Sequence, residues 1–222
     1  MIILCGGSGI RLRPVVADRP KVLAKIKGKP FLDILIENLL AQGFSDLILS
    51  TGYLGEQIKY HFKDRNFKPI FSEEKEPLGT GGALRKAKPF IGSNPFLVMN
   101  GDSMVEVNFK KLINFHAENN SLMTMVLAES DDFRDYGNIE LAANFKIKSF
   151  QEKRSNGPGG LINAGIYAMS KEIFSFFPNR RLFSLEYDIF PNLISKQCFG
   201  FLSGGKLIDI GTPERYWQAN NH

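Results

Sequence analysis

The sequence is short of the residues that several classes of function require. It has two cysteines, Cys5 and Cys198, in 222 residues. A disulfide framework is therefore excluded, and a reduced compartment, the cytoplasm, is the expected location. The three histidines, His61, His116 and His222, stand in helical or terminal contexts, and no Ser/His/Asp set for nucleophilic catalysis can be assembled around them. No stretch approaches the ~18–20 apolar residues of a membrane span, and the opening apolar run is too short for the hydrophobic part of a signal peptide. A long basic run is missing too. The 28 Lys and Arg against 23 Asp and Glu give a formal charge of +5, spread along the chain in a way that favours small anionic molecules over nucleic acid. Internal repeats, low-complexity tracts and Pro/Ser-rich linkers are likewise absent. Residues 1–222 are thus expected to form one domain, with 43% hydrophobic residues to supply its core.

What is present begins with Met1-Ile-Ile-Leu-Cys-Gly-Gly-Ser-Gly-Ile-Arg-Leu-Arg-Pro14 and, shortly after, Arg19-Pro20-Lys21. A four-residue apolar run fits a buried strand. The Gly-rich turn after it can bring backbone N–H groups against an anion, and Arg11 and Lys21 then supply charge. Leu32, Leu35, Ile36, Leu39 and Leu40 recur at helical spacing between Pro30 and Gly43. Ser45–Thr51 reads as a buried strand and Gly55–Lys63 as a second helix, and this alternation argues for a parallel, doubly wound sheet. In such sheets ligands bind beyond the carboxyl ends of the strands. Two polar segments follow strands as that rule requires: Glu76-Pro-Leu-Gly-Thr-Gly-Gly-Ala-Leu84 after Ile70–Ser72, and Asn100-Gly-Asp-Ser103 after Phe96–Met99. Beyond Ser121 the strands alternate and turn at Gly157–Gly160, so the second half is expected to be partly antiparallel. Leu161–Met169 is a further strand with Asn163 and Gly165 inside it, and Lys206–Trp217 reads as strand, Asp209 and a Thr-Pro helix start. Trp217, Tyr216 and Phe201 are expected to pack the C-terminal helix or to serve a subunit contact.

With Arg11, Lys21, Gly79–Gly82, Asp102, Asn163-Ala-Gly165 and Asp209 in this order, the chain resembles the sugar-1-phosphate nucleotidyltransferase family from residue 2 to about 217. The opening motif G-G-x-G-x-R-L-x-P, with a later P-K, is matched by Gly6–Pro14 and Pro20-Lys21. Within the family, Pro14–Lys21, Lys29–Leu32, Gly52-Tyr53, Tyr136-Gly137 and Ser184–Asp188 look most like the D-glycero-D-manno-heptose 1-phosphate guanylyltransferases; the N-acetylmuramate 1-phosphate uridylyltransferases are the alternative. Two departures stand out: Ile10 replaces a frequent Thr, and Cys5 a frequent Ala. Cys5 reads as a packed strand-end residue rather than a nucleophile, since no His in its motif would activate it.

The resemblance implies an α/β fold, a Rossmann-like three-layer sandwich with a mixed, mostly parallel central sheet. Residues 1–115 would bind the nucleotide, GTP, and residues 116–222 the sugar 1-phosphate, with a homodimer as a possible assembly. It also implies attack by a sugar-phosphate oxygen on the α-phosphorus of the triphosphate. The attacking group is already an anion, so no general base is needed; the obstacle is repulsion between two anions, which positioned cations and backbone donors lower. Arg11 would take the β- and γ-phosphates, and Lys21 the α-phosphate and the transition-state charge. Asp102 and Asp209 look like ligands of Mg²⁺, a hard cation suited to carboxylate oxygens. Cys5, Gly6, Gly7, Ser8 and Gly9 would cradle the phosphates. Gly79, Thr80, Gly81 and Gly82 resemble the loop facing base and ribose, with Pro77 shaping its wall. Glu74 would accept from guanine or belong to the solvated run Glu73–Glu76. Tyr136, Gly137, Glu152, Lys153, Asn163 and Gly165 match the acceptor motifs, Lys153 holding the sugar's phosphate, and Glu186 is a further candidate of that kind. A nicotinamide-dependent oxidoreductase is disfavoured because Ser50-Thr51, not an acidic residue, ends the second strand. A catalytically silent regulatory subunit is disfavoured by the presence of Arg11, Lys21, Asp102 and Asp209 together.

Overall fold

A computed structural model describes residues 1–130, 136–152 and 160–221. The chain opens with β1 (Ile2–Cys5) and, after two 3₁₀ turns, a hairpin of β2 (Lys25–Ile26) and β3 (Lys29–Pro30). It continues through α1 (Phe31–Ala41), β4 (Ile48–Thr51), α2 (Gly55–His61), β5 (Ile70–Glu73), α3 (Gly79–Ala87) and β6 (Phe96–Asn100). Then come β7 (Ser103–Met104), α4 (Phe109–Glu118), β8 (Met123–Ser130), β9 (Gly137–Leu141), β10 (Ile147–Glu152) and β11 (Gly160–Met169). The chain closes with α5 (Phe190–Leu193), β12 (Cys198–Leu202), β13 (Ile208–Asp209) and α6 (Pro213–Asn221).

The first half of the central sheet runs β5-β4-β1-β6, all parallel. The second half is joined through β11, antiparallel to β6, β8 and β9, with β12 again parallel to β8. The mixed sheet therefore changes direction between β6 and β11. Side chains alternate across it: Ile3, Leu97 and Met99 enter one core with Leu35, Ile58 and Leu112, whereas Ile2, Phe96 and Val98 enter another with Leu84, Phe183 and Phe190. Both faces are thus covered, as strands apolar on both sides demand.

α1 forms as its spacing predicts, burying Phe31, Leu32, Leu35, Ile36 and Leu39, and it ends before Gly43, whose φ of 87° only glycine adopts freely. Leu40 departs from expectation and is 38% exposed. Asp33 is buried in its place among the leucines, because Arg65 grips both carboxylate oxygens (2.9 and 2.8 Å) and His61 lies 2.7 Å away. Tyr216 and Phe201 pack against the core as expected, and Trp217 departs from expectation. It is 55% exposed beside Tyr216, and Phe201 meets Phe115.

Candidate active site

Because β4 and β6 flank β1 while the chain leaves β1 towards β4, a crevice opens at the carboxyl ends of β1 and β6, where the direction of winding switches. Gly9 stands there with φ 61°, and its carbonyl accepts from the N–H groups of Leu12 (2.9 Å) and Arg13 (3.2 Å). The resulting 3₁₀ turn buries Leu12 and leaves Arg11 exposed. A second such turn after Pro20 buries Val22 and Leu23, which anchors Lys21 at the edge of the crevice. Ser8, Gly9, Ile10, Arg11, Lys21 and Gly211 line a cleft of about 260 Å³.

Asp102 follows β6, and Asp209 ends β13. The strands β7 and β13 pair antiparallel with Ser103 opposite Asp209, and the Ile210 N–H donates to the Asp102 carbonyl at 3.0 Å. This small ladder brings together two aspartates more than a hundred residues apart. Lys21 Nζ bonds Asp102 Oδ2 directly. Burial by itself would raise the Asp102 carboxyl, but the charge and hydrogen bond of Lys21, with a smaller contribution from Arg11, hold it below the ordinary carboxylate range. Asp209 is raised, first by burial and then by the Asp102 charge, against the Gly211 N–H and Arg215, whose Nη1 lies 3.4 Å from Oδ2. Two carboxylates thus share one partly buried site, one of them displaced upward by the other.

Several loops converge on Gly6. Its carbonyl accepts from Tyr53 N–H at 3.3 Å, and a Cβ on Gly6 would lie 2.9 Å from Glu74 Oε1. Glu74 is held by the Leu78 N–H at 3.1 Å and is half-buried, with its carboxyl raised by burial. That placement corrects the picture of a fully solvated charge run at this position. Cys5 is buried, its thiol pushed up by burial and by the Asp102 charge. The glycines after Glu74 have a neighbour the sequence hid. Gly81 and Gly82 donate to the Phe183 carbonyl at 3.1 and 3.3 Å; a Cβ on Gly79 would lie 2.5 Å from that carbonyl oxygen, and one on Gly81 would strike the Phe183 ring. Two of the backbone donors expected to read a base are therefore committed to the chain itself.

On the other side of the site, the Asn163 side chain is occupied within β11: Nδ2 donates to the Tyr167 hydroxyl (2.8 Å) and Oδ1 accepts from Gly165 N–H (2.9 Å). Gly165, with φ 74°, presses against the Asn100 and Ser103 side chains. Glu186 accepts from the Thr80 and Ser184 hydroxyls, both at 2.6 Å, which ties it to the Gly-rich loop. Gly137 opposes Glu152 in the β9–β10 ladder, and Tyr136 lies under Arg215 at 4.2 Å. Lys153 and the turn residues Gly157–Gly159 lie outside the described residues.

A model of the family described as nucleotidyl transferase matches residues 1–222. The chain belongs to the nucleotidyl transferase family. It is 38% identical to D-glycero-alpha-D-manno-heptose 1-phosphate guanylyltransferase of Campylobacter jejuni, over 97% of this chain and 96% of that protein. The protein of the same description from Aneurinibacillus thermoaerophilus is 37% identical over 98% and 95%. Among solved structures, HddC from Yersinia pseudotuberculosis complexed with GMP-PN superposes with a TM-score of 0.87 at 38% identity, over 99% of this chain and 97% of that one.

For a nucleotidyltransferase, the donor set bears on the divalent metal typical of the family. No group of three or more candidate ligand side chains exists among the described residues. The chemistry nevertheless fits a hard cation, since Asp102 and Asp209 are all-oxygen donors whose mutual repulsion a divalent charge would relieve. Arg215 stands beside two of the candidate residues, and the sequence reading misses it. It joins Asp209 to Tyr136 from the first turn of α6, and its position six residues after Asp209, just past Thr-Pro, is the signal that could have found it.

Proposed function

We propose that this nucleotidyltransferase transfers a guanylyl group from GTP to D-glycero-α-D-manno-heptose 1-phosphate, giving GDP-heptose and pyrophosphate. The observation that carries the reading is the likeness to heptose 1-phosphate guanylyltransferases along nearly their whole length, 96% of one and 95% of the other. A sugar-phosphate oxygen attacks the α-phosphorus, the bond from that phosphorus to the bridging oxygen breaks, and the pair of electrons leaves with pyrophosphate. Arg11 and the Gly6–Gly9 turn hold the outer phosphates; Lys21 holds the α-phosphate and balances the charge that grows there. The bond from Lys21 to Asp102 supports this role, since it ties the lysine to the proposed metal carboxylate. Asp102 and Asp209 would hold Mg²⁺, which when bound supplies electrophilic charge for phosphate oxygens. Glu74 would accept from guanine, a role supported by its half-buried position beside Gly6. Tyr136, Gly137, Glu152, Lys153 and Gly165 form the acceptor side, with both halves acting as one domain. Cys5 and Cys198 are free thiols, in keeping with a cytoplasmic enzyme. The test is pyrophosphate release from each of four nucleoside triphosphates against heptose-, mannose-, glucose- and N-acetylmuramate-1-phosphates. GTP with the heptose phosphate should give the highest kcat/KM; a preference for UTP with the muramyl sugar overturns the proposal.

A further inference from the structure

A second hollow lies apart from the proposed catalytic cleft. It measures about 1010 Å³, opens between the start of α1, the length of α2 and the segment 18–30, and shares no lining residue with the cleft that holds Arg11 and Lys21. Its wall carries Arg19, Lys25, Lys59, Lys63 and Arg65. The three carboxylates of the same wall are already engaged: Asp18 by Arg19, Asp33 by Arg65 and His61, and Glu56 by Lys59. Lys25 and Lys63 are exposed and have no ion-pair partner among the described residues. The hollow is therefore a concave surface of net positive charge in which buried Asp33 is paired with Arg65 and His61, while Lys25 and Lys63 have no carboxylate partner among the described residues. Tyr60, 75% exposed, and Gln57 add a ring face and an amide to the same wall. The volume matches that of small-molecule sites.

We propose that this hollow is a second ligand site, separate from the catalytic cleft, that takes a phosphate ester: Lys25 and Lys63 hold the phosphate, and Tyr60 and Gln57 face the group it is attached to. The site touches two carriers of the catalytic residues. Arg19 stands two residues from Lys21 across the buried Pro20, and the Lys25 carbonyl accepts from the Tyr216 hydroxyl at 2.9 Å on the helix that carries Arg215. An occupant that prefers one placement of the 18–25 segment shifts the affinity for GTP, and GTP shifts the affinity for the occupant by the same factor.

The experiment uses the full-length protein, ¹⁵N-labelled and titrated separately with inorganic phosphate, glucose 6-phosphate and AMP at low salt and at about 0.5 M salt, with backbone amide shifts as the readout. Saturable shifts at residues 18–28 and 56–65 are expected. Glucose 6-phosphate binding tighter than AMP identifies a sugar phosphate as the occupant, and the reverse order a nucleotide. The pair Lys25→Glu and Lys63→Glu, both exposed and outside the catalytic cleft, should weaken these shifts about tenfold or more while basal turnover and the response of Gly6–Arg11 to GTP stay unchanged. Shifts confined to Gly6–Arg11 and Lys21, or a titration that the double variant leaves as it was, overturn the proposal. Saturation of the hollow with no change in KM for GTP removes the link to Lys21. Because the substrate matrix above is scored without these ligands, failure of the guanylyl reading and failure of the second site are read independently.

Discussion

The pairing of Lys21 with Asp102 can be tested as a coupling. Their side chains are 16% and 26% exposed and in direct contact. At about 4 Å and an effective dielectric near 20, two unit charges attract by about 4 kcal/mol, and desolvation of both groups offsets most of it. A net coupling of about 1–2 kcal/mol is left. Lys21→Met keeps the stem and removes the charge, and Asp102→Asn keeps the shape and removes the carboxylate. Urea unfolding of the wild type, both single variants and the double variant, without divalent metal, should give single losses whose sum exceeds the loss in the double variant by that coupling. The pH dependence gives a second readout. Asp102 is held below the ordinary range by Lys21 against the effect of burial. Its contribution is therefore present above the unfolded carboxylate pKa and disappears as pH falls through the folded one. In Lys21→Met burial is opposed by less charge, so the deficit against wild type should be largest near pH 7 and should shrink as the carboxylate is protonated on acidification. A coupling below about 0.3 kcal/mol, or a deficit that does not change between pH 7 and pH 4, refutes the assignment of this pair as the electrostatic anchor of the site.

Asp209→Asn removes the charge that Asp102 repels, so the metal-free protein should unfold no earlier than wild type while the rise in Tm produced by millimolar Mg²⁺ disappears; an undiminished rise argues against Asp209 as a ligand. Gly165→Ala places a Cβ 2.7 Å from Asn100 Nδ2 and 3.0 Å from Ser103 Oγ at φ 74°, which should cost about 2–4 kcal/mol in urea unfolding. His116 is buried between Thr124 and Ser170 and held down to about 4 by burial. Since the unfolded chain takes up its proton near 6.5, wild-type stability should fall by up to about 3 kcal/mol between pH 6.5 and 4, and His116→Asn should flatten that limb.

The parallel half of the fold is legible in the sequence because its signals are local. Apolar runs, Pro30 before α1, Gly43 after it and glycine turns beyond β1 and β5 each act within a few residues. The long-range contacts leave no such mark. β7 and β13 are two residues each, too short for a periodic pattern, yet their pairing and the Ile210–Asp102 bond set Asp209 beside Asp102. The glycines at 79, 81 and 82 are visible, but not that Phe183 and Arg181 are what a side chain there would strike. Asn163 reads from the sequence as a ligand-facing residue within a strand; the register shift between Asn163 and Tyr167 turns it back on its own backbone.

That shift also explains why a strand interior holds a glycine with positive φ. Gly165 lets β11 lie against the Asn100–Ser103 turn, and this turn carries Asp102. Around it Arg11, Lys21 and Arg215 stand beside two aspartates, one of them raised by burial and by the other's charge. Such a cluster gains from each ligand of the proposed reaction, since a divalent cation relieves the paired carboxylates and a triphosphate answers the cations. The two ligands should therefore bind with positive coupling, GTP tightening Mg²⁺ and Mg²⁺ tightening GTP by the same factor. Calorimetric titration of each in the presence of the other measures it, and Asp209→Asn, which removes the repulsion at its source, should reduce that factor more than it reduces the affinity for GTP alone.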